Sequence, residues 1–400
     1  MKTRLFASTV LAALASTMGL SSAQADDAGG WEFDGVPGWS NPATGDSFTF
    51  RGRLFLDAAN VDFDRAGVTT TYEGSEIRTG RLGITGQFSG VRYVAEFDLI
   101  NEAVIAKDVY LTFHTDRFDV RVGSMKPTNS INELTSGTNS TFMEHGTATE
   151  LFSISERVGV AVVRHGDNYS MTAGVYGGTT GDLTESFELD DSSAIAARIT
   201  YVPVHTDDTI VHLGASVREM DYGNAGTRLR ARPRTHLTDR ILNADFRPGS
   251  ALGEADSSTL LGLEAAIISG PFHALGEYMT MDVSGPASSP QFDSYFVYAG
   301  YFLTGESRAY STSSGTFGRT RPANPVSQGG AGAFEVAARY DYTDANDVAL
   351  GELTTWTYGL NWYAEDHLRF MANVVEGQLA VPGAPNTDVS GAQIRVQWDF

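Results

Sequence analysis

From residue 48 to its end this chain returns repeatedly to one pattern, apolar side chains alternating with polar or small ones in runs of about ten residues. A two-residue period belongs to a strand with two unlike faces. Phe48, Phe50, Leu54, Leu56 and Ala58 share one phase, with Thr49, Arg51, Arg53 and Asp57 in the other. Leu82, Ile84 and Phe88 oppose Arg81, Thr85 and Gln87; after a Ser89-Gly90 turn, Val91, Tyr93, Ala95, Phe97 and Leu99 oppose Arg92, Glu96 and Asp98. Sixteen such segments follow one another, and short turns at 114–117, 166–168, 205–208, 269–271 and 364–366 are expected to alternate strictly with longer connections. An even set of ten-residue strands with short turns on one side and long loops on the other is the pattern of an outer-membrane barrel. The expected fold is therefore all-β, a 16-stranded antiparallel transmembrane β-barrel with inward-folded loops, and about sixteen strands leave a water-filled lumen.

The competing architecture is a soluble β-sandwich, in which aromatics should not gather at strand ends. Here Trp356, Tyr358, Trp362 and Tyr363, with Tyr295, Phe296, Tyr298, Tyr301 and Phe302, read as girdle residues at the membrane interfaces. The chain also closes on Ile394, Val396, Trp398 and a terminal Phe400, an ending that resembles the signal by which the barrel-assembly machinery receives such proteins. Lys2 and Arg4, an apolar stretch over 5–20 and Ala23-Gln24-Ala25 form a cleavable export signal, residues 1–25, which leaves 26–400 as one barrel domain.

If the apolar phase meets lipid, the other phase faces the lumen. Ten inward-phase arginines then match ten inward-phase carboxylates, so the acid excess behind the net charge of −21 lies in loops and turns. Selectivity in wide barrels is set where loops narrow the lumen. The connection 127–156 has Phe142, Met143, Leu151 and Phe152 with which to pack inward, and 220–257 carries Arg228, Arg230, Arg232 and Arg234 at two-residue spacing. In an extended segment these four point one way, about 6.5 to 7 Å apart. Such a row of guanidinium groups suits phosphate oxygens; it reads as an anion-guiding ladder in the mouth or as a patch against lipopolysaccharide outside.

Charge and composition exclude other classes. A strongly acidic chain is a poor binder of nucleic acid, and with no cysteine there is no disulfide, thiolate metal site or thiol nucleophile. No HExxH, GxSxG, GxGxxG or P-loop pattern occurs and the eight histidines are scattered, so neither an enzyme, a metal site nor a cofactor is expected.

Several stretches resemble the phosphate-selective porin O and P family of Gram-negative bacteria. The most specific is Tyr301-Phe-Leu-Thr-Gly-Glu306-Ser-Arg308-Ala-Tyr310, followed by Gly315-Thr-Phe-Gly-Arg319-Thr-Arg321-Pro322 and Gly332-Ala-Phe-Glu335-Val-Ala-Ala-Arg339-Tyr340. Arg81-Leu-Gly-Ile-Thr-Gly86, Thr135-Ser136 with Phe142-Met143-Glu144, Ala231-Arg232-Pro233 and Gly359-Leu-Asn361-Trp-Tyr363 extend the likeness along nearly the whole mature chain. The resemblance implies a homotrimeric outer-membrane porin whose third and fifth outer loops enter the lumen, with an arginine ladder leading small anions such as phosphate to a narrow site. It places Arg78, Arg81, Asp98, Glu133 and Ser136 at the constriction and Arg319 and Arg321 on an inner segment. Gly137 replaces the family's second serine, and one further departure matters more. Glu133 stands where the family has a constriction lysine, and a carboxylate at the narrowest point would repel phosphate.

Three functions follow as expectations: an anion- or phosphate-preferring passive channel, a general or cation-tolerant porin governed by Glu133 and Asp98, and a barrel whose long loops serve surface adhesion.

Overall fold

The computed structural model describes residues 30–33, 36–100, 104–179 and 191–400; the expected export signal, residues 1–25, lies outside them. A short N-terminal hairpin, β1 (Gly30–Phe33) and β2 (Pro37–Asn41), leads into β3 (Asp46–Arg65), β4 (Val68–Phe88), β5 (Val91–Asp98), β6 (Ile105–His114) and β7 (Asp119–Met125). Then come β8 (Arg157–His165), β9 (Tyr169–Thr179), β10 (Ser193–His205) and β11 (Thr209–Asp221). A small hairpin, β12 (Thr227–Ala231) and β13 (Leu242–Phe246), interrupts the series before β14 (Ser257–Ser269), β15 (Phe272–Ser284) and β16 (Gln291–Phe302). After a second small hairpin, β17 (Tyr310–Ser311) and β18 (Thr316–Phe317), the wall resumes with β19 (Ala333–Asp344), β20 (Glu352–Glu365), β21 (Leu368–Ala380) and β22 (Thr387–Asp399). Leaving out the hairpins β1–β2, β12–β13 and β17–β18, sixteen strands pair antiparallel with their sequence neighbours. The last closes on the first, with Trp398 opposite Leu54 and Asp399 opposite Arg53.

The alternation is inverted relative to a soluble protein. Ile195, Leu263 and Ile394 are about 60% exposed on the outer face, while Arg198, Glu264 and Arg395 beside them are buried inside. That is the arrangement a hydrocarbon solvent selects, because closure pairs every backbone group of the wall and apolar side chains can face lipid without cost. On the outside Tyr295, Tyr340, Tyr342, Trp356 and Tyr358 form a connected aromatic band with ring centroids 5.0–6.2 Å apart, and Phe334, Trp362 and Phe370 stack towards the other rim. Four expected girdle residues do not belong to it. Phe296, Tyr298, Phe302 and Tyr363 point inward and are at most 5% exposed, because the lumen is filled there by folded segments that they pack against.

The connections depart from strict alternation twice. The long connection between the first two strands is itself strand: β3, paired with β22 as far as Arg65, and β4 run on as a hairpin joined by Ala66-Gly67, both at positive φ (56° and 79°). That is a two-residue type I′ turn, whose twist suits a hairpin. Residues 303–332 are a long connection on the side of the short turns. They rise into the lumen because Arg308, Tyr310 and Phe317 find buried partners there.

Candidate functional site

The loop between β7 and β8 is held inside the barrel by the charges of the wall. It carries two short helices, α1 (Ile131–Leu134) and α2 (Thr147–Phe152). Their free N-termini are satisfied by wall carboxylates: Glu264 accepts from Ile131 N at 2.7 Å, Glu277 from Asn132 N and Ser130 Oγ, both at 2.8 Å, and Asp341 from Thr147 N at 2.7 Å. Its carbonyls are taken by wall arginines. Arg369 donates to Ser140 O, Arg395 to Met143 O, Arg339 to Glu144 O and Arg218 to Phe152 O, at 2.6–3.0 Å. Unpaired buried helix ends and carbonyls would each cost about 1–3 kcal/mol, so these contacts fix the loop in place. The balanced inward charges of the wall are thus largely spent on anchoring this loop.

What remains open is a cavity of about 320 Å³ between the loop and β3–β10, lined by eight arginine or lysine side chains and three carboxylates. Arg78, Arg81, Glu133 and Ser136 all line it, and Asp98 lies behind Arg81. Arg81 bridges Asp98 (3.0 Å) and Glu96 (3.1 Å), while Glu96 also binds Arg51 and Arg53, and Arg53 reaches Ser136 Oγ at 3.1 Å. Arg78 is aimed inward by a β-bulge, since Phe55 pairs with Thr79 and Leu56 with Ile77, leaving Arg78 as the extra residue. It forks onto both oxygens of Glu144 at 3.0 Å, and Glu144 is held from the other side by Arg395, itself bidentate to Asp57.

Two cations of the cavity stand outside any close ion pair, although Lys126 still acts through space on Glu133 and Glu156. Among the described residues no carboxylate comes within 4 Å of Arg121 or Lys126. Arg121 lies over the Tyr110 ring, and Lys126 Nζ donates to the backbone carbonyl of Glu133 at 3.2 Å. Sequence reasoning missed Lys126 because it stands at the end of β7, seven residues before Glu133, and only the folding of the loop brings the two together. Glu133 lines the cavity but is only 5% exposed, and burial pushes its carboxyl above the usual carboxylate range against the opposing pull of Lys126. A buried, proton-favouring carboxyl repels an anion far less than an open carboxylate does.

The loop between β11 and β14 crosses the loop-side mouth. The β12–β13 hairpin packs Leu229, Ala231, Leu242 and Phe246 into the inner core, and His236 reaches Glu76 on β4 at 2.7 Å. Arg228 and Arg230 lie on β12 with Arg232 just beyond, in one phase, as a strand requires. Arg234 breaks the row: at φ +60° after Pro233 its guanidinium turns away, fully buried, to His145 O (2.6 Å) and Glu150 (2.5 Å). Arg240 takes up the pattern on the same loop, and burial together with Arg240, Arg228 and Arg232 pushes the Arg230 guanidinium down to about 10. That shift marks a group of like charges with too few counter-charges. Arg319 and Arg321 do not reach the cavity. They sit at the turn-side rim, Arg319 on Asp399 and the Asp366 carbonyl, Arg321 3.8 Å from Asp366; the inner-segment residues that line the cavity are Ser313, Ser314 and Thr316.

The loop's own titration sets a pH dependence. Burial pushes the His145 imidazole down to about 3 from an ordinary 6.5. Against the upward push of its own burial, Glu144 is held well below 4.5 by Arg78 and Arg395. Both groups bind more protons unfolded than folded, so their stabilisation is present at neutral pH and falls with acid, from about pH 6.5 for His145 and from about 4.5 for Glu144. Glu133, raised by burial, works in the opposite direction above its ordinary 4.5. Replacing His145→Asn should therefore shrink the stability lost between pH 7.5 and 5 by about 2 kcal/mol. Thermal unfolding of the two proteins at both pH values checks this; equal losses would contradict it.

A closed barrel with a lipid-facing exterior, a charged lumen and two loops narrowing it is the build of an outer-membrane porin. Residues 48–400 match the family model of the phosphate-selective porins O and P, and the chain belongs to that family. It is 33% identical over 373 residues to an uncharacterized protein of Caulobacter vibrioides, covering 88% of this chain and 74% of that one. It is 22% identical to Porin O of Pseudomonas aeruginosa, with 83% of each chain covered. Among solved structures it resembles the anion-selective porin from Comamonas acidovorans, with a TM-score of 0.56 and 12% identity over 89% of this chain and all of that one.

Proposed function

We propose that this porin is a passive channel that favours small anions, phosphate among them. The observation that carries the reading is the surplus of cations around the 320 Å³ cavity, eight against three carboxylates, with Arg121 and Lys126 outside any close ion pair and Glu133 buried. Arg228, Arg230, Arg232 and Arg240 raise the local anion concentration on the way in, since wide pores select by the charge that lines their narrowing. Arg78, Arg81 and Ser136 then shape the cavity, Arg78 and Arg81 as anchored walls because each is spent on a carboxylate, and Lys126 and Arg121 supply the free positive charge. Arg234 serves as an anchor between the two loops, and Arg319 and Arg321 hold the foot of the inner segment.

The general or cation-tolerant reading, with Glu133 and Asp98 in control, is weakened by the burial of the first and the pairing of the second with Arg81. The adhesion reading requires long loops that project; the two longest described outer connections fold inward. Export through the 1–25 signal, delivery by the barrel-assembly machinery, a homotrimer and contact with lipopolysaccharide complete the proposal for the mature protein. The zero-current potential across a bilayer under a salt gradient tests the selectivity, and a cation-side sign would refute it.

A further inference from the structure

Behind the cavity the lumen contains a buried cluster, of which only Arg198 reaches the cavity wall. Glu264 on β14 lies directly opposite Glu277 on β15, and both are buried. Glu277 meets the constriction loop through Ser130, Asn132 and Thr149. The two oxygens of Glu264 serve two different segments. One accepts from Ile131 N, the first residue of α1, at 2.7 Å. The other binds Arg198 (2.9 and 2.5 Å) and His212 (3.0 Å), and these two side chains hold the inner segment. Arg198 donates to Ser314 O at 3.1 Å and Gly315 O at 2.7 Å, and His212 Nδ1 meets Tyr310 Oη at 2.7 Å.

The inner segment in turn touches the constriction loop. Phe317 N donates to Thr135 Oγ1 at 3.2 Å and Arg308 to Asn139 O, while Ser313 O is held to the wall by Ser170 Oγ at 3.0 Å. The loop descends from one mouth and the segment rises from the other, and a single carboxylate holds both. Each alone is a chain excursion of about thirty residues through a water-filled lumen, whose ordering costs about 1–2 kcal/mol per residue in backbone entropy. Shared attachment makes them one body.

We propose that Arg198 and Glu264 form a latch that sets the bore of the pore, acting as positioning residues that keep the inner segment under the constriction loop so that the two narrow the channel together. The inference rests on the channel reading above but not on its anion preference. Without the latch the inner tip falls back, Thr135 and Asn139 lose their supports, and the loop widens its range of positions.

Two variants separate the latch from mere folding. Glu264→Gln removes the charge that gathers Arg198 and His212. Arg198→Lys keeps a cation for Glu264, so the barrel holds no uncompensated buried carboxylate, yet an ammonium cannot fork to Glu264 and to both tip carbonyls. Each should raise single-channel potassium chloride conductance about twofold and add fast current fluctuations, since the narrowing governs flow. Because the chain has no cysteine, Ser170→Cys with Ser313→Cys can be introduced into the Arg198→Lys protein as a clean oxidisable pair tying the tip to the wall. Oxidation should return conductance to the wild-type value and reduction should release it again. Wild-type conductance in Arg198→Lys, or a raised conductance indifferent to the cross-link, would overturn the latch. A cation-selective wild type would overturn the anion reading instead and leave these conductance ratios to judge the latch alone.

Discussion

Replacing Arg228, Arg230 and Arg232 together by alanine should cut chloride conductance about fourfold in 0.1 M salt and leave it nearly unchanged in 1 M. The size follows from Coulomb's law. At about 7 Å in water each charge lowers the energy of a passing anion by about 0.6 kcal/mol, and three give about 1.8. With a Debye length of about 10 Å at 0.1 M roughly half survives, which is a four- to fivefold change in anion concentration at the mouth; at 1 M the length is about 3 Å and the effect nearly vanishes. Adding Arg234→Ala should not deepen the selectivity change but should loosen the two loops, because Arg234 is committed to Glu150 and the His145 carbonyl. Conductance that is equally reduced at both salts would show that the arginines support the loop and do not gather anions.

The second large effect is at Lys126. Lys126→Glu reverses a charge inside the cavity, where at an effective dielectric of about 20 and 4 Å a unit charge contributes about 4 kcal/mol to a passing ion before reorganisation and screening. Anion preference should be lost by well over tenfold, with the zero-current potential moving to the cation side. Glu133→Gln is the matching control. Because that carboxyl is buried and pushed towards its protonated form, the neutral amide should leave selectivity within about twofold of wild type. A strong shift towards anions in Glu133→Gln would mean that a charged Glu133 does govern the constriction.

The wall was legible in the sequence because lipid on one side and water on the other impose the two-residue period on every strand that crosses. Where that contrast ends, so does the signal. The outer part of β4 is exposed and carries mostly short polar side chains, so Thr69, Thr71, Glu73 and Ser75 read as loop although they are paired with β3. Aromatics alternate with the same period whether they face lipid or the packed lumen, which is why Tyr358 and Trp356 were placed correctly and Phe296 and Tyr363 were not. The arginine spacing gave Arg228, Arg230 and Arg232, whereas the positive φ of Arg234 is a local backbone event that no side-chain period announces. Arg78 reaches the lumen through a bulge, and the resemblance to the family located it where the alternation alone would have pointed it outward. Lys126 was invisible for a third reason. Its importance comes from the tertiary return of the loop onto its own start, and alignment by spacing compares only the neighbours of Glu133.

The sign of one potential decides which ions this channel favours. Purified protein in a planar bilayer under a potassium chloride gradient should give a zero-current potential on the chloride side, and phosphate added in increasing concentration should progressively reduce the chloride current. A neutral or cation-side potential, with chloride current indifferent to phosphate, would contradict a cavity in which eight cationic side chains outnumber three carboxylates.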